Sequence, residues 1–272
     1  MKFRLVLYPA IAYLTIGAFF YFQQGKLLFP APKTFEKRTP ADIGLRFDDL
    51  RLPVNGADHL HAWWIPAAPP SDKVVLVFHG NGYVLEDMVE QEAGSLHEIG
   101  TNLLLVDYRG YGSSSPASPN EATVDEDAVA SMDYLQRDRK IPVGNTFVLG
   151  RSIGSGPATY LAVCTQGLGG LILESPFSSI DDAAAGFWYF RIYPGLILRT
   201  HFDNQSKVSS VKAPLMIVSG TADTLTPTWM ADKIFARANQ PKQLYLVPGA
   251  GHNDLLSVGG SGLSEELRKF VR

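Results

Sequence analysis

The chain is short of cysteine and of positive charge, and each shortage removes a class of explanation. A single cysteine, Cys164, among 272 residues allows no intramolecular disulfide and no cysteine-cluster metal site. It reads as a small buried hydrophobe. The formal net charge is -3 and charged residues make up 19% of the chain, so there is no broad positive field. No Lys/Arg run is interleaved with aromatics in the way a nucleic-acid groove requires, and nucleic acid is not an expected partner. Internal repeats and low-complexity tracts are missing as well. What the sequence has in quantity is apolar material, 46% of its residues, enough for the packed core of one large α/β domain.

The amino terminus differs from the rest. Leu5 to Phe22 is an uncharged apolar run of about 18 residues, just long enough to span a bilayer, and Lys2 and Arg4 precede it. A cleaved signal peptide is the competing reading, but no Ala-x-Ala site follows, and Phe19, Phe20, Tyr21 and Phe22 occupy the place where small residues belong. The expectation is an uncleaved single-pass membrane helix over residues 1–22. Its orientation stays open, because Lys2 and Arg4 on one side face Lys26, Lys33, Lys37 and Arg38 on the other. Residues 23–43 mix Gln, Gly, Pro and charge without apolar periodicity and read as a tether to a domain over residues 44–272.

Within that domain, Leu45 to Pro53 and His59 to Ile65 flank Asn55-Gly56 and predict an antiparallel hairpin. Six short apolar runs follow: Lys73 to Phe78, Asn102 to Val106, Thr146 to Leu149, Leu171 to Leu173, Leu215 to Val218 and Gln243 to Val247. Their near-continuous hydrophobicity predicts strands buried on both faces. Helical spacing over roughly 84–98, 121–138, 153–165, 228–238 and 255–271 alternates with them, which predicts a mostly parallel eight-stranded sheet flanked by helices. One connection is long, an insertion at about 175–212. It carries Phe187-Trp188-Tyr189-Phe190, Tyr193, Leu196, Ile197 and Leu198, suited either to packing on the domain or to lining a lid.

Gly150-Arg151-Ser152-Ile153-Gly154 matches G-x-S-x-G, a pentapeptide that is only suggestive by itself. Its setting is stronger, because the strand Phe147-Val148-Leu149 runs into it and a helical segment leaves it. A nucleophile on such a strained turn needs small residues two before and two after, so that helix and strand can pass closely, and Gly150 and Gly154 meet that need. A serine hydroxyl requires a base to take its proton and a third group to hold that base. On a sheet of this kind the base follows the nucleophile, which leaves His201 and His252. His252 lies in the loop Pro248-Gly249-Ala250-Gly251-His252 after the last strand and is the expected base. The expected acid is Asp223, in Ser219-Gly220-Thr221-Ala222-Asp223, with Glu174 as its competitor. Asp181, Asp182, Asp203 and Asp254 read as caps or loop residues.

The developing oxyanion needs preorganised donors. The N–H of Ile153 is one candidate and that of Asn81, in His79-Gly80-Asn81-Gly82, is the other, with Gly80 permitting close approach and His79 bracing the loop. His59 and His61 share a strand face but lack further ligands, so no metal and no organic cofactor are expected. Asp107 and Arg109 are expected to pair with each other, and Asp125-Glu126-Asp127 to form a solvated helix face.

Taken together, His79-Gly80-Asn81, Asp107-Tyr108-Arg109-Gly110-Tyr111-Gly112, Gly150-Arg151-Ser152-Ile153-Gly154, Gly220-Thr221-Ala222-Asp223 and Gly251-His252 resemble the alpha/beta-hydrolase superfamily from about residue 45 onward. The apolar amino terminus, the Glu174-Ser175-Pro176-Phe177 turn and the short insertion are similar to the membrane-associated members, a group that includes protein depalmitoylases. The resemblance implies hydrolysis of acyl esters or thioesters through an acyl-enzyme, on a small-molecule or lipid-like substrate. This chain lacks the amino-terminal cysteine cluster of the depalmitoylases, and it carries Ser152 where dehalogenase and epoxide-hydrolase relatives carry an aspartate. A peptidase on the same fold and a non-enzymatic membrane-associated binding protein are the alternatives.

Overall fold

The computed structural model describes residues 2–32, 37–185 and 199–272. The apolar residues of the insertion singled out above, Phe187 to Leu198, lie outside this description.

Helix α1, Lys2–Leu28, contains the whole apolar run and Pro9. It does not end at Phe22. The helix continues through residues expected to form the tether, and Phe29, just past its end, docks on the domain: it is buried, with its ring 6.1 Å from that of Phe202. The Arg199 N–H donates to Gln24 Oε1 at 2.6 Å, a second tie between this helix and the domain. Among the described residues, no helix is long and apolar enough to cross a membrane.

A short 3-10 turn, Pro40–Ile43, leads into strand β1, Asp48–Val54, which pairs antiparallel with β2, Asp58–Ile65. Asn55 at φ 33° and Gly56 at φ 83° reverse the chain between them, the left-handed pair that an Asn-Gly hairpin loop uses. The remaining strands are β3 (Val74–Phe78), β4 (Asn102–Val106), β5 (Thr146–Arg151), β6 (Gly170–Glu174), β7 (Leu215–Gly220) and β8 (Lys242–Val247). They form one eight-stranded sheet in the order β1-β2-β4-β3-β5-β6-β7-β8, antiparallel over the first two pairings and parallel from β4 onward. β3 to β7 are buried along their length, as continuous apolar runs require. β8 is an edge strand and only half-buried, which is the difference from the expected two-sided burial.

Helices cover both faces. Between β3 and β4 come α2 (Leu85–Met88) and α3 (Gly94–His97), joined by a π-helical turn, Val89–Ala93. The others are α4 (Glu121–Arg137), α5 (Ser155–Cys164), α6 (Ile180–Ala185), α7 (Asn204–Lys207), α8 (Thr228–Arg237) and α9 (Leu255–Phe270). Side chains alternating along β3 divide the core. Val74, Leu76 and Phe78 pack with α4, α5 and α8, whereas Val75 and Val77 pack with α2, α3 and α9.

Three expectations are corrected. Asp107 and Arg109 do not pair. The Arg109 Nε donates to Asp127 Oδ1 at 2.5 Å and its N–H to Asp127 Oδ2 at 2.9 Å, while Asp107 turns to histidines. Asp125-Glu126-Asp127 is therefore not a solvated face. Val124, Asp127, Ala128, Ser131 and Leu135 form the inward stripe of α4 at helical spacing, and Asp127 lies fully buried in it. Asp125 is buried beside it, and burial pushes its carboxyl up to about 7. Cys164 is exposed, because it ends α5 where the helix leaves the core.

Candidate active site

Every group of the candidate site hangs from the carboxyl end of a parallel strand, where an open α/β sheet presents its crevice. β5 delivers Ser152. The residue sits at φ 51°, a left-handed conformation that a non-glycine residue adopts only when its surroundings hold it there. Those surroundings are tight. A Cβ at Gly150 would stand 2.3 Å from the Gly154 carbonyl oxygen, and a Cβ at Gly154 would stand 2.2 Å from that of Phe78. Only glycine fits at either position, so the elbow can turn sharply from β5 through Ser152–Gly154 into α5.

β8 delivers His252. After Gly249, at φ 78°, the chain folds back so that the Ala222 N–H donates to the Ala250 carbonyl at 2.9 Å, which ties this loop to the one after β7. The Gly251 N–H donates to Asp254 Oδ1 at 2.6 Å. His252 Nε2 is then 2.9 Å from Ser152 Oγ, and Nδ1 is 2.8 Å from Asp223 Oδ2. With an acceptor-only carboxylate at Nδ1, the network assigns the ring proton there and leaves Nε2 free to accept from the serine hydroxyl.

β7 delivers Asp223, and its side chain is saturated with donors. Oδ1 accepts the N–H groups of Leu225 (2.9 Å) and Thr226 (2.8 Å), and Oδ2 accepts the Thr226 hydroxyl at 2.8 Å in addition to His252. Burial alone would raise its pKa. The hydrogen bonds from His252 and Thr226 outweigh that and hold the carboxyl well below its usual range, at about 2. Thr226 is the one member of this group that sequence reasoning missed. Its Oγ1 also lies 3.1 Å from His252 Nδ1. The available signal was local: a threonine three residues after an aspartate in a turn, a spacing at which side chain and backbone bond readily.

The loop after β3 lies against the elbow. A Cβ at Gly80 would be 3.7 Å from the Ser152 Cβ, so this backbone passes directly beside the nucleophile candidate, and Ile153 is buried next to it. His79 is buried beneath the loop; its Nδ1 donates to the Gly80 carbonyl at 2.8 Å, and the Tyr108 hydroxyl donates to the His79 carbonyl at 3.0 Å. The Tyr111 hydroxyl reaches Asn81 Oδ1 at 3.2 Å. Under them is Asp107, fully buried, which accepts the Leu85 N–H at 3.0 Å and faces His79 Nε2 at 3.4 Å and His61 Nδ1 at 3.5 Å. Burial acts to raise the Asp107 pKa, but the two imidazoles outweigh it and lower the value.

The two competitors stand apart from this cluster. His201 is half exposed and bonded to Asp181 at 2.9 Å. Glu174 ends β6 beside Arg151, and burial, opposed by that guanidinium, pushes its carboxyl up to about 6. Among the described residues, no group of three or more His, Cys, Asp or Glu side chains is arranged to hold a metal ion.

A hydroxyl bonded to a free imidazole nitrogen, with the ring's other nitrogen held by a saturated carboxylate, can transfer its proton as it attacks an electrophile. Comparison with known proteins bears on the fold and family. A family model described as serine aminopeptidase, S33, matches residues 69–194. An uncharacterized protein of Mycobacterium tuberculosis is 31% identical over 228 residues, covering 82% of this chain and 78% of the relative. The alpha/beta hydrolase domain-containing protein WAV2 of Arabidopsis thaliana is 26% identical over 239 residues, covering 82% and 77%. Among solved structures, an esterase of Pyrococcus furiosus superposes with a TM-score of 0.75 at 21% identity, over 89% of this chain and 96% of that one. An alpha-beta hydrolase of Vibrio vulnificus does so with a TM-score of 0.72 at 20% identity, over 90% and 91%. Sequence and architecture agree over most of the length on both sides, and the chain belongs to the alpha/beta-hydrolase superfamily.

Proposed function

We propose that the chain is a serine hydrolase of acyl esters or thioesters, with Ser152 as nucleophile, His252 as general base and Asp223 as the group that orients it. The observation that carries this reading is the unbroken contact series from Ser152 Oγ through the His252 ring to Asp223 Oδ2. As Oγ bonds to the acyl carbon, its proton passes to Nε2. That proton then goes to the departing alkoxide or thiolate as the C–O or C–S bond breaks. Water repeats the sequence on the acyl-enzyme and regenerates the hydroxyl. Asp223 keeps Nδ1–H in place and offsets the imidazolium charge. The backbone N–H groups of Ile153 and Asn81 serve the oxyanion, supported by the close passage of Gly80 beside Ser152.

A fluorophosphonate probe tests the assignment directly. The wild type should label and Ser152→Ala should not; labelling that survives the substitution would place the nucleophile elsewhere. The match to a serine aminopeptidase family model favours a second reading, cleavage of peptide bonds by the same groups. Turnover of aminoacyl p-nitroanilides beside p-nitrophenyl esters of rising chain length separates the two, and the ester reading requires the esters to be preferred.

Helix α1 is proposed to hold the domain on a membrane. Tyr8, Ile11, Leu14, Phe19 and Phe22 are exposed along it, a succession of large hydrophobes on one helix where a soluble surface carries them singly. Removal of residues 2–22 should release the protein from liposomes in a flotation assay, and flotation that persists would reject this role.

A further inference from the structure

Arg151 precedes the serine, yet its side chain turns away from it and is buried. Burying a guanidinium is costly unless its donors find partners. Its partners come from three different segments. Nη1 donates to Glu92 in the π-turn between α2 and α3, and Nη2 donates to Asn253 Oδ1 at 3.2 Å. The guanidinium also covers the Tyr83 ring, its carbon 5.1 Å from the ring centroid, while Glu174 is the register neighbour of Arg151 on β6. Tyr83 follows the His79 to Gly82 loop, and Asn253 follows His252. One side chain therefore reaches the loop beside the nucleophile candidate, the loop that carries the base, and the buried Glu92 carboxylate that anchors it.

The geometry has room to matter. Glu92, Arg151, Glu174 and Asn253, with Leu255 and Leu256, line a cavity of about 210 Å³ behind the elbow, so Asn253 is not wedged in place by close packing there. The Arg151 bond is the side-chain contact that Asn253 makes with the core of the site.

We propose that Arg151 is a positioning residue, which clasps Asn253 and the Tyr83 ring from an anchor on Glu92 and so sets His252 and the Gly80–Asn81 backbone at working distance from Ser152. The planar fork is essential, because two nitrogens serve two different segments at once, and a lysine ammonium in that place cannot span both. The inference rests on the serine-hydrolase reading above, since it assigns Arg151 to the same reaction.

The test is the rate of fluorophosphonate labelling of the full chain, measured beside thermal unfolding. Asn253 is exposed, so Asn253→Leu removes one end of the clasp with little effect on folding. Labelling should slow by about 10- to 100-fold, the scale on which small displacements of reacting groups act. Asn253→Asp keeps an oxygen acceptor for Nη2 and should stay within about threefold of wild type, a rescue that a merely structural role would not require. Arg151→Lys should follow Asn253→Leu. The proposal is overturned if Asn253→Leu labels at the wild-type rate, or if Asn253→Asp falls as far as Asn253→Leu. A wild type that does not label at all overturns the serine-hydrolase reading, and this one with it.

Discussion

Two buried aspartates in this molecule each face histidine, and only one of them stands behind a nucleophile candidate. Asp223 meets His252 at 2.8 Å, and the ring's far nitrogen ends on the Ser152 hydroxyl. Asp107 faces His79 at 3.4 Å and His61 at 3.5 Å, and the far nitrogen of His79 ends on a backbone carbonyl, that of Gly80. The residue types are the same, and in both cases the neighbouring groups outweigh burial and lower the carboxyl pKa. What separates them is the last atom of the series. A hydroxyl on a strained elbow can give up a proton and form a bond, whereas a carbonyl can only be held still. The Asp223 pair is suited to chemistry and the Asp107 pair to bracing the loop where the oxyanion is expected.

This contrast is most sharply broken by removing charge from each aspartate in turn. Asp223→Asn should lower the fluorophosphonate labelling rate by about 10⁴-fold, because an amide cannot enforce the Nδ1–H tautomer, with little change in unfolding temperature. A loss of less than about tenfold would erase the distinction between the pairs. Asp107→Ala should do the reverse. It leaves the Leu85 N–H without its acceptor in a fully buried site and removes the carboxylate that faces two imidazoles, and urea unfolding should show a loss of about 3 kcal/mol. Labelling of the protein that remains folded should stay within about tenfold of wild type, since the loop still lies beside Ser152. A loss of labelling comparable to that of Asp223→Asn, without loss of stability, would make Asp107 a partner in the chemistry.

How much of this arrangement is legible in the chain alone depends on where each signal lies. The inner strands are legible because strands buried on both faces are continuous apolar runs, β1 and β2 are legible from the Asn55-Gly56 turn between them, and β8 departs from the first picture because it lies at an edge of the sheet. Ser152, His252 and Asp223 are legible as a set because each lies just past a parallel strand, and the sheet brings those strand ends together. Pairings off the strands are not. Arg109 finds Asp127, 18 positions away, instead of Asp107, 2 away, because Asp107 faces His61 and His79 while the inward stripe of α4 supplies the acid. Thr226 hides for another reason: its spacing from Asp223 marks a local turn bond, and such a bond points to a site only once that aspartate is known to hold a histidine. α1 shows the limit of composition, since its polar last turns read as a tether and instead extend the helix to a docked Phe29.

The smallest expected effect sharpens the same comparison through pH. The Asp223 carboxyl is held at about 2 in the folded chain against an ordinary 3.8. A depressed folded value means that the folded state binds this proton less readily than the unfolded one. The resulting stability is fully present above the ordinary value and is lost as pH falls through about 2. The shift corresponds to about 2 kcal/mol. Asp107 also resists protonation, so wild-type stability at acid pH carries both contributions and does not separate them. Asp223→Asn removes one and retains the other. Urea unfolding at intervals from about pH 5 down to about pH 2 should therefore show wild type losing about 2 kcal/mol more than Asp223→Asn over that window. If the two curves stay parallel, the donors around Asp223 do not lower its pKa, and the electrostatic difference drawn between the two pairs fails with them.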